Sequence, residues 1–226
     1  MSQIGTLVTG AGVVTVIAGQ SRCDMFLLLG DVDTANPLQG LSVEIEGVAT
    51  ISIANAATLL TAFAKWQQEL TAAVVGVLFK IATGTIFKST TYRLTNAGAT
   101  TPVIQAFSEA PEGVPFIAAT DTINALSSQV YERFSALFLQ TPANIASVEV
   151  QFRNGHRETM LIAESDARFS LFNQSEADGR LGGVSVIDNT DQMIESVKIN
   201  TNAVGACTIL AAKLPDDAFE VIKSKF

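Results

Sequence analysis

Any chemistry in this chain has to come from a small set of side chains. Among 226 residues there is one histidine, His156, and two cysteines, Cys23 and Cys207. His156 sits in Asn154-Gly-His-Arg157, whose Asn-Gly start marks a hairpin tip. A nucleophilic triad needs an imidazole beside an activated serine or cysteine, and nothing in the sequence links His156 to one. It reads as a solvated loop residue. Zinc sites with two histidines are excluded by count, and Cys23, Cys207 and His156 lack ligand spacing. Two cysteines in a chain this long form no disulfide framework, so both read as buried, reduced thiols.

Two further patterns carry a functional and a bland reading. Thr9-Gly-Ala-Gly12 is part of a dinucleotide glycine turn, but that turn needs a following helix and a third glycine at short range. Here VVTVI follows and Gly19 is too distant, so a plain N-terminal turn is expected. Asp31 and Asp33 form an Asp-x-Asp pair, and Asp188 and Asp191 flank a second turn. Loop carboxylates can hold calcium, even between subunits, but neither set has the EF-hand order with its late glutamate. Solvated turn acids are the plainer expectation. The aromatic set is 13 Phe, 2 Tyr and 1 Trp, which suits core filling better than sugar stacking. Trp66 falls on a helical apolar stripe and is expected to be buried. No residue is assigned a catalytic, cofactor or metal role.

Composition narrows the class. Lys+Arg is 14 against Asp+Glu 22, giving a net charge of −8, and charged residues make up only 16%. Hydrophobic residues make up 48% and mean hydropathy is +0.33. Disorder is excluded, because it needs low hydrophobicity and high charge. Direct nucleic-acid binding is disfavoured, because phosphate contacts need clustered Lys and Arg. The apolar run at Thr71–Phe79 is stopped by Lys80 and is too short to span a bilayer. The N-terminus has no basic stretch of the secretory kind, so a cytoplasmic site of synthesis and assembly is expected.

The elements that position these residues are mostly short strands. VVTVI, MFLLL, the alternating Leu41-Ser-Val-Glu-Ile-Glu46 and Gly47–Ile53 come first. Asn55 can cap a helix over 55–70 that carries Leu59, Leu60, Phe63, Trp66 and Leu70. Strand-like Ala73–Ile81, Thr85–Phe87, Thr91–Leu94 and Pro102–Phe107 follow. Pro111-Glu-Gly-Val-Pro115 is the strongest punctuation and divides the chain into 1–110 and 111–226. The second half then repeats the order. It runs through Val130–Leu139, Ser147–Phe152, Thr159–Ile162, a helix capped by Ser165, then Val184–Ile187, Ile194–Ile199 and Cys207–Ala212.

Shifting the first half by 105 lays NPLQGLSVEIE on TPANIASVEVQ without a gap, with Val43 on Val148 and Glu44 on Glu149. The same shift sets Tyr92-Arg-Leu94 on Val197-Lys-Ile199 and Ile104 on Ile209, while a local offset sets Ile53 on Ile162 and Phe63 on Phe172. The chain therefore reads as a duplication. Many strands with one helix per unit predict an all-β fold of two tandem jelly-roll β-sandwiches, with one short helix in each.

Tandem rolls with low charge, together with SVEIEG…ISIANAATLLTAF in the first, resemble the double jelly-roll major capsid proteins of tailless icosahedral bacteriophages. The corticovirus type, with its internal membrane, is the nearest. The resemblance covers nearly the whole chain and is architectural. It implies a structural, non-enzymatic capsid subunit forming a pseudo-hexagonal homotrimer that tiles an icosahedral shell in the virion. The partners it implies are copies of itself, vertex proteins and plausibly an internal membrane. A tandem carbohydrate-binding or adhesin module, or a spike, is the alternative. The tail Asp216–Phe226, acids first and Lys223 and Lys225 last, reads as a docked helix or as an arm onto a neighbour or membrane.

Overall fold

The computed structural model describes the backbone of residues 3–8, 13–18, 24–29, 38–45, 49–54, 56–71, 77–78, 81–82, 89–96 and 103–107, and of 115–169 and 180–214. Side chains are described within the first helix and through most of the second part. Thr9–Gly12, Cys23, Asp31, Asp33, Asn55, Thr85–Phe87, Phe172 and the tail lie outside the described residues, as does the linker up to Val114.

The first unit carries β1 (Gln3–Val8), β2 (Val13–Ala18), β3 (Asp24–Leu29), β4 (Leu38–Ile45), β5 (Ala49–Ala54), α1 (Ala56–Thr71), β6 (Val77–Leu78), β7 (Ile81–Ala82), β8 (Ser89–Asn96) and β9 (Val103–Phe107). One sheet has the order β1-β9-β3-β6, with β7 also on β3, and the other β2-β8-β4-β5. Leu59, Ala62, Phe63 and Trp66 are buried along one stripe of α1, while Thr58 and Lys65 face away. That is the helical period expected. Trp66 packs against Phe63 with ring centroids 5.9 Å apart, and the buried Gln67 donates from Nε2 to the Pro115 carbonyl at 3.0 Å.

The second unit, Ala119–Leu214, repeats the plan. Its strands are β10 (Phe116–Ile123), β11 (Ser128–Glu132), β12 (Ala136–Gln140), β13 (Ile145–Phe152) and β14 (Arg157–Met160). After α2 (Ile162–Phe169) come β15 (Ser185–Asp188), β16 (Ile194–Thr201) and β17 (Cys207–Lys213). The sheet orders are β10-β17-β12-β15 and β11-β16-β13-β14. Apart from the β4–β5 and β13–β14 hairpins and the β6–β7 pair on β3, successive strands cross between two antiparallel sheets, which is the jelly-roll path. Matched by place, β10 stands for β1, β11 for β2, β12 for β3 and β13 for β4, and the helix follows the same strand in both units.

The two sheets differ as their sequences do. In β13 every second residue from Val148 to Phe152 is buried, and in β16 every second residue from Val197 to Thr201 is buried. This alternation leaves one wet face. In β12 all four residues from Ala136 to Leu139 are buried, and Phe138, Val186 and Leu210 bury the face opposite Leu137, Leu139 and Ile187. The continuous run FSALFL encodes a strand hidden on both faces. Between the sheets lies one core built from Leu137, Leu139, Val148, Val150, Val197, Ile199 and Ile209, among others.

Several expectations are corrected. Strands β1 and β10 add to those expected from the sequence pattern. FIAATDTI alternates too weakly for the period to show. Val130–Leu139 is two strands, broken at Arg133, where φ is +55°. Strand β14 ends at Met160, so Ile162 starts a helix instead of ending a strand. Ser165 is not the cap of α2. The helix starts three residues earlier, where Glu164 reaches back to accept the Leu161 N–H at 2.8 Å. This is one arm of a capping box.

The repeat register also slips. Leu41 pairs with Ile53 and Leu94, while Val148 pairs with Met160 and Ile199. A shift of 105 therefore cannot hold for both strands: Val43 pairs with Ile51 and Tyr92, so Val148 in the place of Val43 sets Met160 on Ile51 and Ile199, not Val197, on Tyr92. Tyr92 on Val197 instead sets Val43 on Val150, two residues from its match with Val148, so the two matches slide against each other. A two-residue slide preserves strand alternation, and Val148 and Val150 are both buried. Sequence matching alone cannot sense such a slide.

Candidate assembly surfaces

Three surfaces of the second unit carry its polar chemistry. The first is the wet face of sheet β11-β16-β13-β14. Glu149 accepts from Lys198 Nζ at 2.8 Å and from Asn200 Nδ2 at 2.8 Å, and Asn200 also donates to Ser147 Oγ at 3.0 Å. These bonds, led by Lys198, hold the Glu149 carboxyl below its usual range. Gln151 donates to Glu195 at 2.7 Å. An open groove of about 370 Å³ crosses this face, lined by Glu132, Glu149, Arg157, Thr159, Lys198 and neighbours. Cross-strand pairs of this kind fix register and contribute little each.

The second surface is the end where β11–β12, β13–β14 and β15–β16 turn. His156 is more engaged than a solvated loop residue. Its Nε2 lies 2.8 Å from Glu158 Oε1, and its ring stacks on Phe152 at 5.9 Å. Arg168 of α2 also pairs with Glu158 and lies over Phe152 and Phe169, 5.4 and 5.3 Å from the ring centroids. His156 first, and then Arg168, lower the Glu158 pKa. The cluster clips α2 to the hairpin. Asp188 and Asp191 are turn acceptors: Asp188 takes the Thr190 hydroxyl at 2.9 Å and Asp191 the Met193 N–H at 3.1 Å. Asn189, which sequence reasoning passed over, is buried beside them. Its Nδ2 donates to the carbonyls of Phe134 (3.2 Å) and Ile194 (3.1 Å), and its Oδ1 accepts the Ile194 N–H at 2.8 Å. The buried Asn plugs two turns together. Its position between Asp188 and Thr190 is the only sequence signal, and that signal says turn, not plug.

The third surface is the opposite end, made by residues 124–127, 141–144 and 202–206. Asn202 donates its backbone N–H to Asn144 O at 2.8 Å and its Nδ2 to Ala143 O at 2.8 Å. Asn144 Nδ2 donates to Ala206 O at 2.7 Å, and Thr141 Oγ1 to the same carbonyl at 3.1 Å. Thr201 Oγ1 donates to Asn124 O at 2.5 Å and accepts the Ser127 N–H at 3.0 Å. A Cβ at Gly205 would lie 2.9 Å from Asn144 Nδ2, so glycine permits this close packing.

Cys207 is buried, and its Sγ lies 2.9 Å from Gln140 O. Burial pushes the thiol up to about 12, which fits a structural cysteine.

No family model matches the chain, and no curated protein matches it. Solved structures do. A chain of the Sulfolobus turreted icosahedral virus aligns over 99% of this chain and 95% of its own, with 11% identity and a TM-score of 0.51. The fold is that of the double jelly-roll capsid proteins. The major capsid protein of bacteriophage PM2 aligns over 96% of both chains, with 15% identity and a TM-score of 0.49. In this double jelly roll the expected fold class holds: among the described residues, two all-β rolls each carry one α-helix between the fifth and sixth strands. Of the residues singled out for chemistry, Asp188 and Asp191 share one turn, whereas His156 and Cys207 are each held by separate local contacts.

Proposed function

We propose that this chain is a structural capsid subunit that works by self-assembly rather than catalysis. The observation that carries the reading is the double roll, two units with the same sheet orders in one chain. Three such chains supply six similar rolls, so a homotrimer takes a pseudo-hexagonal outline and tiles six-coordinated positions of an icosahedral shell. On this reading the rolls divide near residues 110 and 111, the protein is made in the host cytoplasm and ends in the virion, and vertex proteins complete the shell. The apolar composition supports the reading, because obligate interfaces are large and apolar.

Size-exclusion chromatography with mass detection tests it. The expected species is three times the 23.9 kDa chain mass. A chain that stays monomeric at high concentration overturns the trimer. The carbohydrate-binding alternative has no support from the groove on the wet face, whose lining residues include no aromatic side chain for sugar stacking.

A further inference from the structure

The tip of the β13–β14 hairpin holds Asn154-Gly155, the only Asn-Gly pair in the chain. Both residues are exposed, and a Cβ placed on Gly155 would meet nothing within 4 Å. Gly155 has φ +84°, the left-handed conformation that closes a three-residue loop, so the backbone itself calls for a residue without a side chain after Asn154. The Phe152 N–H donates to His156 O at 2.9 Å and the Gly155 N–H to Phe152 O at 2.9 Å. The Asn154 side chain folds back over this loop, and its Oδ1 accepts the His156 N–H at 2.9 Å.

Three features make this amide reactive toward its own backbone. The Asx turn keeps the side-chain amide beside the Gly155 nitrogen. The His156 N–H points at Oδ1, the atom on which negative charge develops if that nitrogen attacks Cγ. Arg153 and Arg157 flank the loop with no acid between them, and nearby cations favour both a deprotonated nitrogen and an oxyanion. One feature opposes them. The Gly155 N–H is held by Phe152 O, which keeps the nitrogen's proton in place.

We propose that Asn154 is a self-modification site, where the folded chain slowly converts its own amide to a carboxylate. The Gly155 nitrogen bonds to Asn154 Cγ and gives its proton to a solvent base. The Cγ–Nδ2 bond breaks, and ammonia leaves with a proton from water, so a succinimide ring remains. Water then opens the ring. Attack at Cγ yields aspartate; attack at the main-chain carbonyl yields isoaspartate, with the chain running through the former side chain. One water enters, one ammonium leaves, and nothing is oxidised or reduced. Isoaspartate lengthens the loop by a methylene, which the two bonds between Phe152, Gly155 and His156 do not accommodate. It thereby loosens the His156 ring from Phe152 and from Glu158, where the hairpin is clipped to α2. The inference does not rest on the capsid reading.

The full chain is incubated at pH 8 in water enriched in heavy oxygen, folded and, in parallel, unfolded in guanidinium chloride, and its peptides are mapped by mass spectrometry. Heavy oxygen enters at position 154 of the folded chain, as aspartate and isoaspartate, ahead of every other asparagine. The folded chain reacts roughly fivefold more slowly than the unfolded one, the factor that one net hydrogen bond at the Gly155 N–H is worth. Gly155→Asp keeps the left-handed turn, which Asp tolerates, while its side chain crowds the attacking nitrogen, so labelling at Asn154 falls severalfold. The isoaspartyl form, separated by ion exchange, melts below the unmodified chain. Asn154→Asp, which carries the charge without the added methylene, does not. A folded chain unlabelled at position 154, labelling there no faster than at Asn144 or Asn202, or an unchanged rate in Gly155→Asp overturns the proposal. An isoaspartyl form that melts with the unmodified chain overturns the loosening of the clip.

Discussion

Asn189→Ala tests whether one buried amide holds the charged end of the second roll together. Its side chain satisfies three backbone groups, the carbonyls of Phe134 and Ile194 and the Ile194 N–H. Both of those residues are buried, so water does not replace the lost partners. Each orphaned bond costs about 1 kcal/mol net and more where desolvation is complete, so about 3 kcal/mol is expected in total. That is a large share of the ~5–15 kcal/mol that holds a domain together. With a urea slope near 1.5 kcal/mol per molar, the transition of the second roll falls by about 2 M.

Asn189→Asp sharpens the test, because it keeps the acceptor and the shape but turns the donor into a carboxylate facing two carbonyls. Burial and those carbonyls raise the acid's folded pKa. The variant's deficit relative to wild type is therefore smallest at low pH, where the group is protonated in both states, and grows as pH rises through the raised value. Urea unfolding followed by circular dichroism at several pH values measures both effects. A midpoint within about 0.5 M of wild type for Asn189→Ala shows that the plug contributes little, and refutes the reasoning. A pH-independent deficit for Asn189→Asp refutes the electrostatic half.

Two further outcomes are expected. Glu149 and Glu158 both have folded pKa values lowered from the ordinary 4.5, by Lys198 and His156 respectively. Their stabilisation is fully present above that value and is lost as pH falls through the lowered ones. The melting temperature should therefore drop below about pH 4.5, and less steeply in Glu149→Gln; a melting temperature flat from pH 6 to 3 contradicts this. Cys207, its thiol pushed up to about 12 and shielded from solvent, should resist a thiol reagent at pH 8 in a Cys23→Ser chain and react once urea is added. Rapid native labelling would show that the β17 edge of the core opens.

Much of the double roll was legible in the sequence because its signals are local. Alternation in SVEVQF separated a half-wet strand from FSALFL, which is buried on both faces. The 3.6-residue stripe through Leu59, Phe63 and Trp66 located α1 within a residue at each end. The strands β1 and β10 escaped because edge strands with mixed polarity carry almost no period. Turn chemistry was legible at Asn154-Gly155, where φ is +84° at the glycine, but the Phe152–His156–Arg168 cluster built around that turn was not.

The sequence by itself determined most of the strands, the place of α1, that the order repeats, and that the inventory for catalysis is thin. Only the tertiary structure revealed the register, because a period of two is blind to a slide of two, and the long-range pairing of β13 with β16 exposes one. It alone brought 124–127, 141–144 and 202–206 to one end. Each segment is an ordinary uncharged turn along the chain. Closing loops of sixty to eighty residues through Thr201, Asn144 and Asn202 makes them a single uncharged surface.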